Sequence, residues 1–277
     1  FKGKKGDTVH IPAPTRGSAS AKAAETAVTL IAATETEVQV SINKHYEYSR
    51  LIEDIVEVQA LTSLRSFYTE DAGYALAKRI DTDLVQLGRA FNGATIGTND
   101  YATSAASTKA YVGSDGTTAY NSTSSNAAAL TDAAIRRTIQ RLDDNDTPMD
   151  GRFFIIPPSS RNTLMGLARY TEQAFIGNGD AIRNGEIGQL YGMAVFASTN
   201  ADFVAGNSGA DRICLMGHRD AMVLIEQLGI RSQTQYKQEY LADLLTTDTI
   251  YGVGRLRDGS SVTNSLATAG LAFVVPS

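Results

Sequence analysis

Residues 6 to 42 have the pattern of two strands with nothing of their own to pack against. Gly6-Asp7-Thr8-Val9-His10-Ile11-Pro12 alternates polar and apolar side chains, and Glu37-Val38-Gln39-Val40-Ser41-Ile42 does so again. Between them, Thr15-Arg16-Gly17-Ser18-Ala19-Ser20-Ala21-Lys22-Ala23-Ala24 is a run of small residues that cannot supply a core. A two-stranded hairpin built from such strands is marginal in water on its own. Its apolar stripe therefore needs cover from outside. If that cover is another copy of the chain, the arm is an assembly device, which points to a structural role rather than to catalysis.

The chain has 277 residues, 43% hydrophobic and 20% charged, which is ordinary for a folded protein with a substantial core. A net charge of −5 leaves no global basic field to gather nucleic acid, so a sequence-reading DNA-binding role is disfavoured. No run approaches 18 consecutive apolar residues, and no membrane span or signal-peptide pattern is expected. The first residues are Phe1-Lys2-Gly3-Lys4-Lys5-Gly6 rather than Met, and a leading segment is expected before them.

After the arm, Asn43 to Arg50 reads as a polar joint. The apolar positions 51, 52, 55, 56 and 58 predict a short amphipathic helix. A long helix is predicted from about Ser63 to Phe91, because Leu76, Ile80, Leu84, Leu87 and Phe91 recur at steps of three and four. Lys78, Arg79, Asp81 and Asp83 mostly line its other side. Such a helix, of about 25 residues, is about 40 Å long and suggests a spine. Residues 92 to 129 are dominated by Gly, Ala, Ser, Thr and Asn. They read as an exposed insert with one short hairpin around Tyr111-Val112-Gly113 and Tyr120.

Thr131 is placed to cap a helix over 132 to 142, with Ile135, Ile139 and Leu142 on its apolar face. Phe153-Phe154-Ile155-Ile156 is a buried strand stopped by Pro157-Pro158, and a further helix runs from Ser159 or Ser160 to Leu167. Strands are predicted within 185 to 197, at Ile213 to Met216, Ala221 to Ile225, Gly229 to Gln235 and Thr249 to Arg257, and at Ala272 to Val275. Helices and strands interleave without βαβ regularity, so the class is α+β.

Common catalytic patterns fail one by one. His218-Arg219-Asp220 matches the kinase tripeptide, but position 225 is Ile where an Asn is needed, and no glycine-rich loop accompanies it. The acidic cluster Asp143 to Asp150 has Met149 where a calcium loop starting at Asp144 needs glycine, and reads as a solvated turn. Gly177-Asn178-Gly179-Asp180 lacks the third glycine of a dinucleotide fingerprint. His10, His45 and His218 do not fall at metal-ligand spacing. The single cysteine, Cys214, lies in an apolar run and reads as a small buried hydrophobe; a nucleophilic thiol would need a base, and His218 is four residues away. No catalytic, cofactor-binding or metal-ligating residue is assigned, no cofactor is expected, and the chain is not read as an enzyme.

The order of parts then carries a resemblance. The arm beginning Gly6-Asp7-Thr8-Val9-His10-Ile11-Pro12 leads through Val38-Gln39-Val40-Ser41-Ile42 to Ile52-Glu53-Asp54-Ile55. A long helix with Ala75-Leu76-Ala77-Lys78-Arg79-Ile80-Asp81 follows. Next come Phe153-Phe154-Ile155-Ile156-Pro157-Pro158, Gly192-Met193-Ala194-Val195-Phe196-Ala197-Ser198 and Tyr251-Gly252-Val253-Gly254. Over nearly its whole length the chain resembles the major capsid proteins of tailed double-stranded DNA bacteriophages, with the Hong Kong 97-like fold.

The resemblance implies a division of the chain. Residues 1–45 would be the extended arm, or E-loop, lying across a neighbouring subunit. Residues 46–125 and 225–262 would be a peripheral domain with the spine helix and an insert near 92–129, and residues 126–224 and 263–277 an axial domain. It implies hexamers and pentamers of the chain, closed into an icosahedral head assembled in the host bacterial cytoplasm. That head would enclose double-stranded DNA without reading its sequence. Scaffold, portal and decoration proteins are the implied partners, and no membrane is. Some relatives weld neighbours by a Lys–Asn isopeptide bond promoted by a Glu. Here Lys22 is the lysine near the arm tip, and Asp243 stands roughly where the Asn would be, so no covalent crosslink is expected. An encapsulin-like compartment enclosing cargo proteins, which shares the fold, is the alternative. The insert at 92 to 129 and the phage-like arm favour a virion.

Overall fold

The computed structural model describes residues 6–14, 19–28, 30, 35–59, 64–88, 91, 107–121, 126–167, 189–201, 203–206, 209–257 and 269–277. Strands β1 (Thr8–Pro14) and β2 (Glu35–Ser41) pair as a two-stranded sheet, the expected arm. β3 (Lys44–Glu53) runs directly into the six-residue helix α1 (Asp54–Gln59), and the long helix α2 (Leu64–Gln86) follows. The polar joint expected at 43–50 is therefore a strand, and Leu51 and Ile52, expected in a helix, belong to it.

A hairpin of β4 (Ser107–Val112) and β5 (Ala119–Tyr120) precedes helix α3 (Asp132–Asp144). β6 (Arg152–Ile156), α4 (Pro158–Met165), β7 (Gln189–Leu190), β8 (Met193–Ala197), β9 (Phe203–Gly206) and β10 (Gly209–His218) follow. A 3₁₀ turn at Arg219–Ala221 leads to β11 (Met222–Lys237), β12 (Ala242–Arg255) and β13 (Gly270–Pro276). The chain divides into two compact units. The first is Phe1–Val9, Val40–Val85 and Val223–Gly254; the second is His10–Gln39, Gln86–Met222 and Arg255–Ser277.

The second unit is organised by an eight-stranded sheet in the order β5-β4-β13-β10-β6-β8-β7, with β9 also pairing β10. β10 sets Cys214 opposite Phe273 and Leu215 opposite Ile155. Both faces of this strand pair are buried. Cys214, Met216, Leu271, Phe273 and Val275 pack with Ala134, Ile135 and Leu142 of α3, Leu164 of α4, and Phe154 and Ile156 of β6. On the other face, Ile213, Ala272 and Val274 pack with Ala110, Val112 and Tyr120, and Leu215 packs with Phe91, Ala221 and Ala269. Burial on two sides is why Ile213–Met216 and Leu271–Val275 read as unbroken apolar runs. Each large apolar side chain fully buried there contributes about 1.5–3 kcal/mol.

Local signals explain the ends. Thr131 accepts from the Ala134 amide at 3.3 Å, capping α3 as expected. Pro158 begins α4, where its missing N–H costs nothing. The exposed insert expected at 92 to 129 is corrected for its described part. β4 pairs in parallel with β13, Ala110, Val112 and Tyr120 are buried, and the Tyr120 hydroxyl donates to Asp211 at 2.8 Å.

The first unit holds a three-stranded antiparallel sheet, β11-β12-β3, with α2 along one face. The helix stripe that meets the sheet is Arg65, Tyr68, Ala72, Leu76, Arg79 and Asp83, at steps of three and four. The contacts along it are largely polar. Arg65 is bonded to Asp243, and the Arg50 guanidinium lies 4.8 Å from the centre of the Tyr68 ring. One position before the stripe residue Ala72, Asp71 accepts from the Tyr48 hydroxyl at 2.6 Å. Arg79 donates to the Tyr46 hydroxyl at 2.8 Å and stands over that ring at 4.7 Å. Buried Asp83 accepts from the Tyr251 hydroxyl at 2.8 Å and pairs with Lys44 at 3.0 Å; its Oδ1 faces Arg79 at 3.2 Å. The outward position predicted for Asp83 is thus corrected. Of the predicted apolar face only Leu76 is buried within α2, and Ile80 and Leu84 are half-buried.

Candidate assembly surfaces

Among the described residues, the side chains that the sequence offered as chemical candidates have structural partners. Cys214 is fully buried, its thiol pushed up to about 12 by burial, and its sulfur lies 3.5 Å from Ser160 Oγ. His218 is four residues further along the same strand, about 13 Å away at the rise of a β-strand, and its Nδ1 accepts from the Asp220 amide at 3.2 Å. His218-Arg219-Asp220 is thus a capped 3₁₀ turn. His10 pairs with Glu37 at 3.0 Å across the arm, and His45 with Asp248 at 3.3 Å. Asp143 of the acidic turn accepts from the otherwise buried Arg152 at 2.6 Å. Residues 177–180 lie outside the described residues. Among the described residues no group of three or more His, Cys, Asp or Glu could hold a metal ion, and no helix is long and apolar enough to cross a membrane.

What the fold leaves uncovered is surface suited to other protein. In the arm, residues 19–28 and Leu30 are exposed, Val28 among them, and the turn at Ala24–Glu25 is closed by Thr26 Oγ1 donating to the Ala23 carbonyl at 2.8 Å. Lys22 is exposed just before that turn.

Among the described residues, the three-stranded sheet has α2 on one face, while much of the other face of β3 is exposed. Along β3, Lys44, Tyr46, Tyr48 and Ile52 are turned inward, whereas His45, Glu47, Ser49, Leu51 and Glu53 are exposed. Their partners across the pairing include Asp248 opposite Glu47 and Ile250 opposite His45. Arg231 grips Asp248 with two bonds, 2.7 and 3.0 Å, and holds its carboxyl below the usual range, with His45 adding to the effect. The outer half of β11, Gly229 to Tyr236, is exposed on both sides.

A third surface lies at the end of the same sheet. Asp54 at the start of α1 donates its amide to the Leu241 carbonyl at 3.1 Å and accepts from the Tyr236 hydroxyl at 2.9 Å. This brings α1 against the β11–β12 turn. Ile55, Val56 and Val58 of α1, Tyr236 at the end of β11, and Tyr240 and Leu241 of the turn all remain exposed there. An apolar cluster of this kind, rimmed by polar groups, marks a contact surface.

The comparisons with known proteins agree with a chain built for contact. Residues 2–266 match the family model described as phage capsid protein. The chain belongs to the phage capsid protein family. It is a structural protein of the virion capsid, not an enzyme, and the encapsulin-like alternative is not favoured. No curated protein matches it.

Solved structures share its fold at low identity. The capsid of cyanophage P-SCSP1u is 19% identical, covering 100% of this chain and 86% of its own, with a TM-score of 0.72. A structure from Mycobacterium phage Che8 is 20% identical over 98% of this chain and 85% of its own, with a TM-score of 0.69. The head structure of Helicobacter pylori bacteriophage KHP40 is 12% identical over 99% and 87%, also at 0.69. The polar ladder under α2 is the feature of this capsid protein that sequence reasoning missed. Its visible signal is the period-two pair Tyr46 and Tyr48, which marks a strand with a phenolic face.

Proposed function

We propose that many copies of this capsid protein, as hexamers and pentamers, close into an icosahedral shell around double-stranded DNA, and that each arm seats on a neighbouring copy. The observation that carries this reading is the pairing of an arm without a core with a unit whose sheet is open on one face. In this reading residues 1–45 act as the E-loop. The unit around β3, β11, β12 and α2 is the peripheral domain, and the unit around β10 and β13 is the axial domain that meets its copies at the symmetry axes. Contacts of this kind join unlike surfaces and close into rings. Scaffold, portal and decoration proteins are the partners such a shell takes.

The arm clasps and does not weld. Asp243 carries the charge partner of Arg65, and an ionised carboxylate is a poor acceptor for a lysine amine. Lys22 then serves as a solvated or ion-paired side chain.

Negative-stain microscopy of the expressed chain tests the reading. Closed shells are expected, and deletion of residues 15–34 should abolish them while leaving folded subunits. Shells that form equally well without the arm overturn it. Denatured shells should run at the monomer mass, and covalent ladders through Lys22 would refute the clasp.

A further inference from the structure

The root of the arm crosses the three-stranded sheet where β12 turns only glycines, Gly252 and Gly254, toward it. The pairing with β3 sets Asp243, Leu245, Thr247, Thr249 and Tyr251 opposite Ile52, Arg50, Tyr48, Tyr46 and Lys44, on the α2 side. By alternation, Gly252 and Gly254 lie on the open face, in line with Asp248 and Ile250. A Cβ at Gly252 would stand 2.5 Å from the Ser41 carbonyl oxygen and 3.1 Å from Ile42 Cα. At Gly254 it would stand 2.6 Å from Val40 Cγ2 and 2.9 Å from Cγ1. Neither glycine has a left-handed backbone, so close approach, and not turn geometry, is what excludes a side chain.

The same point ties down the other strand of the arm. The Ile42 amide donates to the Asp7 carbonyl at 2.7 Å, and Gln227 Nε2 donates to the Gly6 carbonyl at 3.0 Å. Val40, seated against Gly254, is buried.

We propose that Gly252 and Gly254 are positioning residues for assembly: together they form a saddle that fixes the direction in which the arm leaves the sheet. This rests on the proposal that the arm seats on a neighbouring copy. A tilt of about 10° at the root moves the far end of a seven-residue strand by about 4 Å, enough to miss a side-chain pocket. The two glycines differ in a way that can be tested. The two nearest obstacles at Gly254 are the Val40 methyls and can be cut away, which leaves Val40 Cβ at 3.3 Å. The obstacle at Gly252 is a main-chain carbonyl, which no side-chain change removes.

The test compares wild type with G252A, G254A, V40A, G254A/V40A and G73A, the last being a control because a Cβ there meets nothing within 4 Å. Hydrogen exchange of the Ile42 amide in free subunits reads the saddle, and shell yield and diameter in negative stain read its consequence. G252A and G254A are expected to exchange at Ile42 at least about tenfold faster and to lose about tenfold or more in correct shells, because the fault recurs at every contact. V40A should restore G254A in both readouts, whereas G73A should behave as wild type. Unchanged Ile42 exchange in G252A overturns the saddle whatever the particles do. So does a G254A defect that V40A leaves in place with the subunit folded. Normal exchange behaviour with no shells from wild type would instead remove the capsid-assembly reading and leave the saddle standing.

Discussion

The sheet around β10 is sealed on both faces by apolar side chains, while the sheet around β12 is tied to its helix by charged and phenolic groups and is open on the far side. The two arrangements serve different ends. Apolar burial is non-directional and stabilising, and it closes the second unit within one chain. A polar ladder contributes less net energy, because desolvation offsets much of each bond, but it fixes helix register rung by rung. The first unit buries Ile52, Leu76, Val85, Ile225 and Leu245 but leaves Ile55, Val56, Val58, Phe67, Tyr74 and Leu241 exposed.

The largest test of this contrast is Phe154→Ala. Phe154 is fully buried and meets Phe273 edge-on at 5.9 Å, so truncation should cost about 3–5 kcal/mol in denaturant unfolding. A loss under about 1 kcal/mol would break the claim that this core carries the fold.

Asp83→Ala comes next. It strands the Tyr251 hydroxyl and leaves Lys44 and Arg79 without their buried partner, at a cost of about 2 kcal/mol once solvent access to both cations is allowed for. Faster hydrogen exchange should be confined to β3 and β12. Equal loosening of β10 and β13 would show that the ladder is not local.

Acid gives the smallest effect and opposite signs in the two units. Arg231 holds Asp248 below its usual pKa, so its stabilisation is fully present above the unfolded value of about 3.9 and fades as pH falls through the lowered folded value. Burial raises the Asp211 carboxyl, only partly offset by Tyr120, so its penalty is present at neutral pH and disappears as pH falls below about 3.9. Exchange protection around Asp248 should therefore decline toward low pH while that around Asp211 improves, and D248N and D211N should flatten the respective trends. Parallel trends in both units would sink the distinction.

The sealed unit was the more legible. Phe153 to Ile156 before two prolines, the Thr131 cap, and the apolar runs at 213–216 and 272–275 all announce themselves by pattern, and all stand where expected. The polar ladder hid because hydrophobic periodicity is blind to it. Leu76, Ile80 and Leu84 suggested one helix face, yet the sheet takes a stripe rotated toward Arg79 and Asp83, whose cost of burial is met by Lys44 and Tyr251 from distant strands. The hairpin around Tyr111 and Tyr120 stands where expected, but its burial hid for another reason. Both tyrosines sit in a stretch of small residues whose burial depends on β13, some 150 residues later, supplying the neighbouring strand. The uncovered sheet face and the exposed α1 cluster follow from three-dimensional packing alone.

The lone cysteine has a practical consequence. Sealed under the sheet and with its thiol raised to about 12, Cys214 is silent toward thiol reagents while the chain is folded. A cysteine introduced at exposed Lys22 is then the one reactive sulfur per copy, and a single dye placed there reports the position of every arm tip in an otherwise native particle.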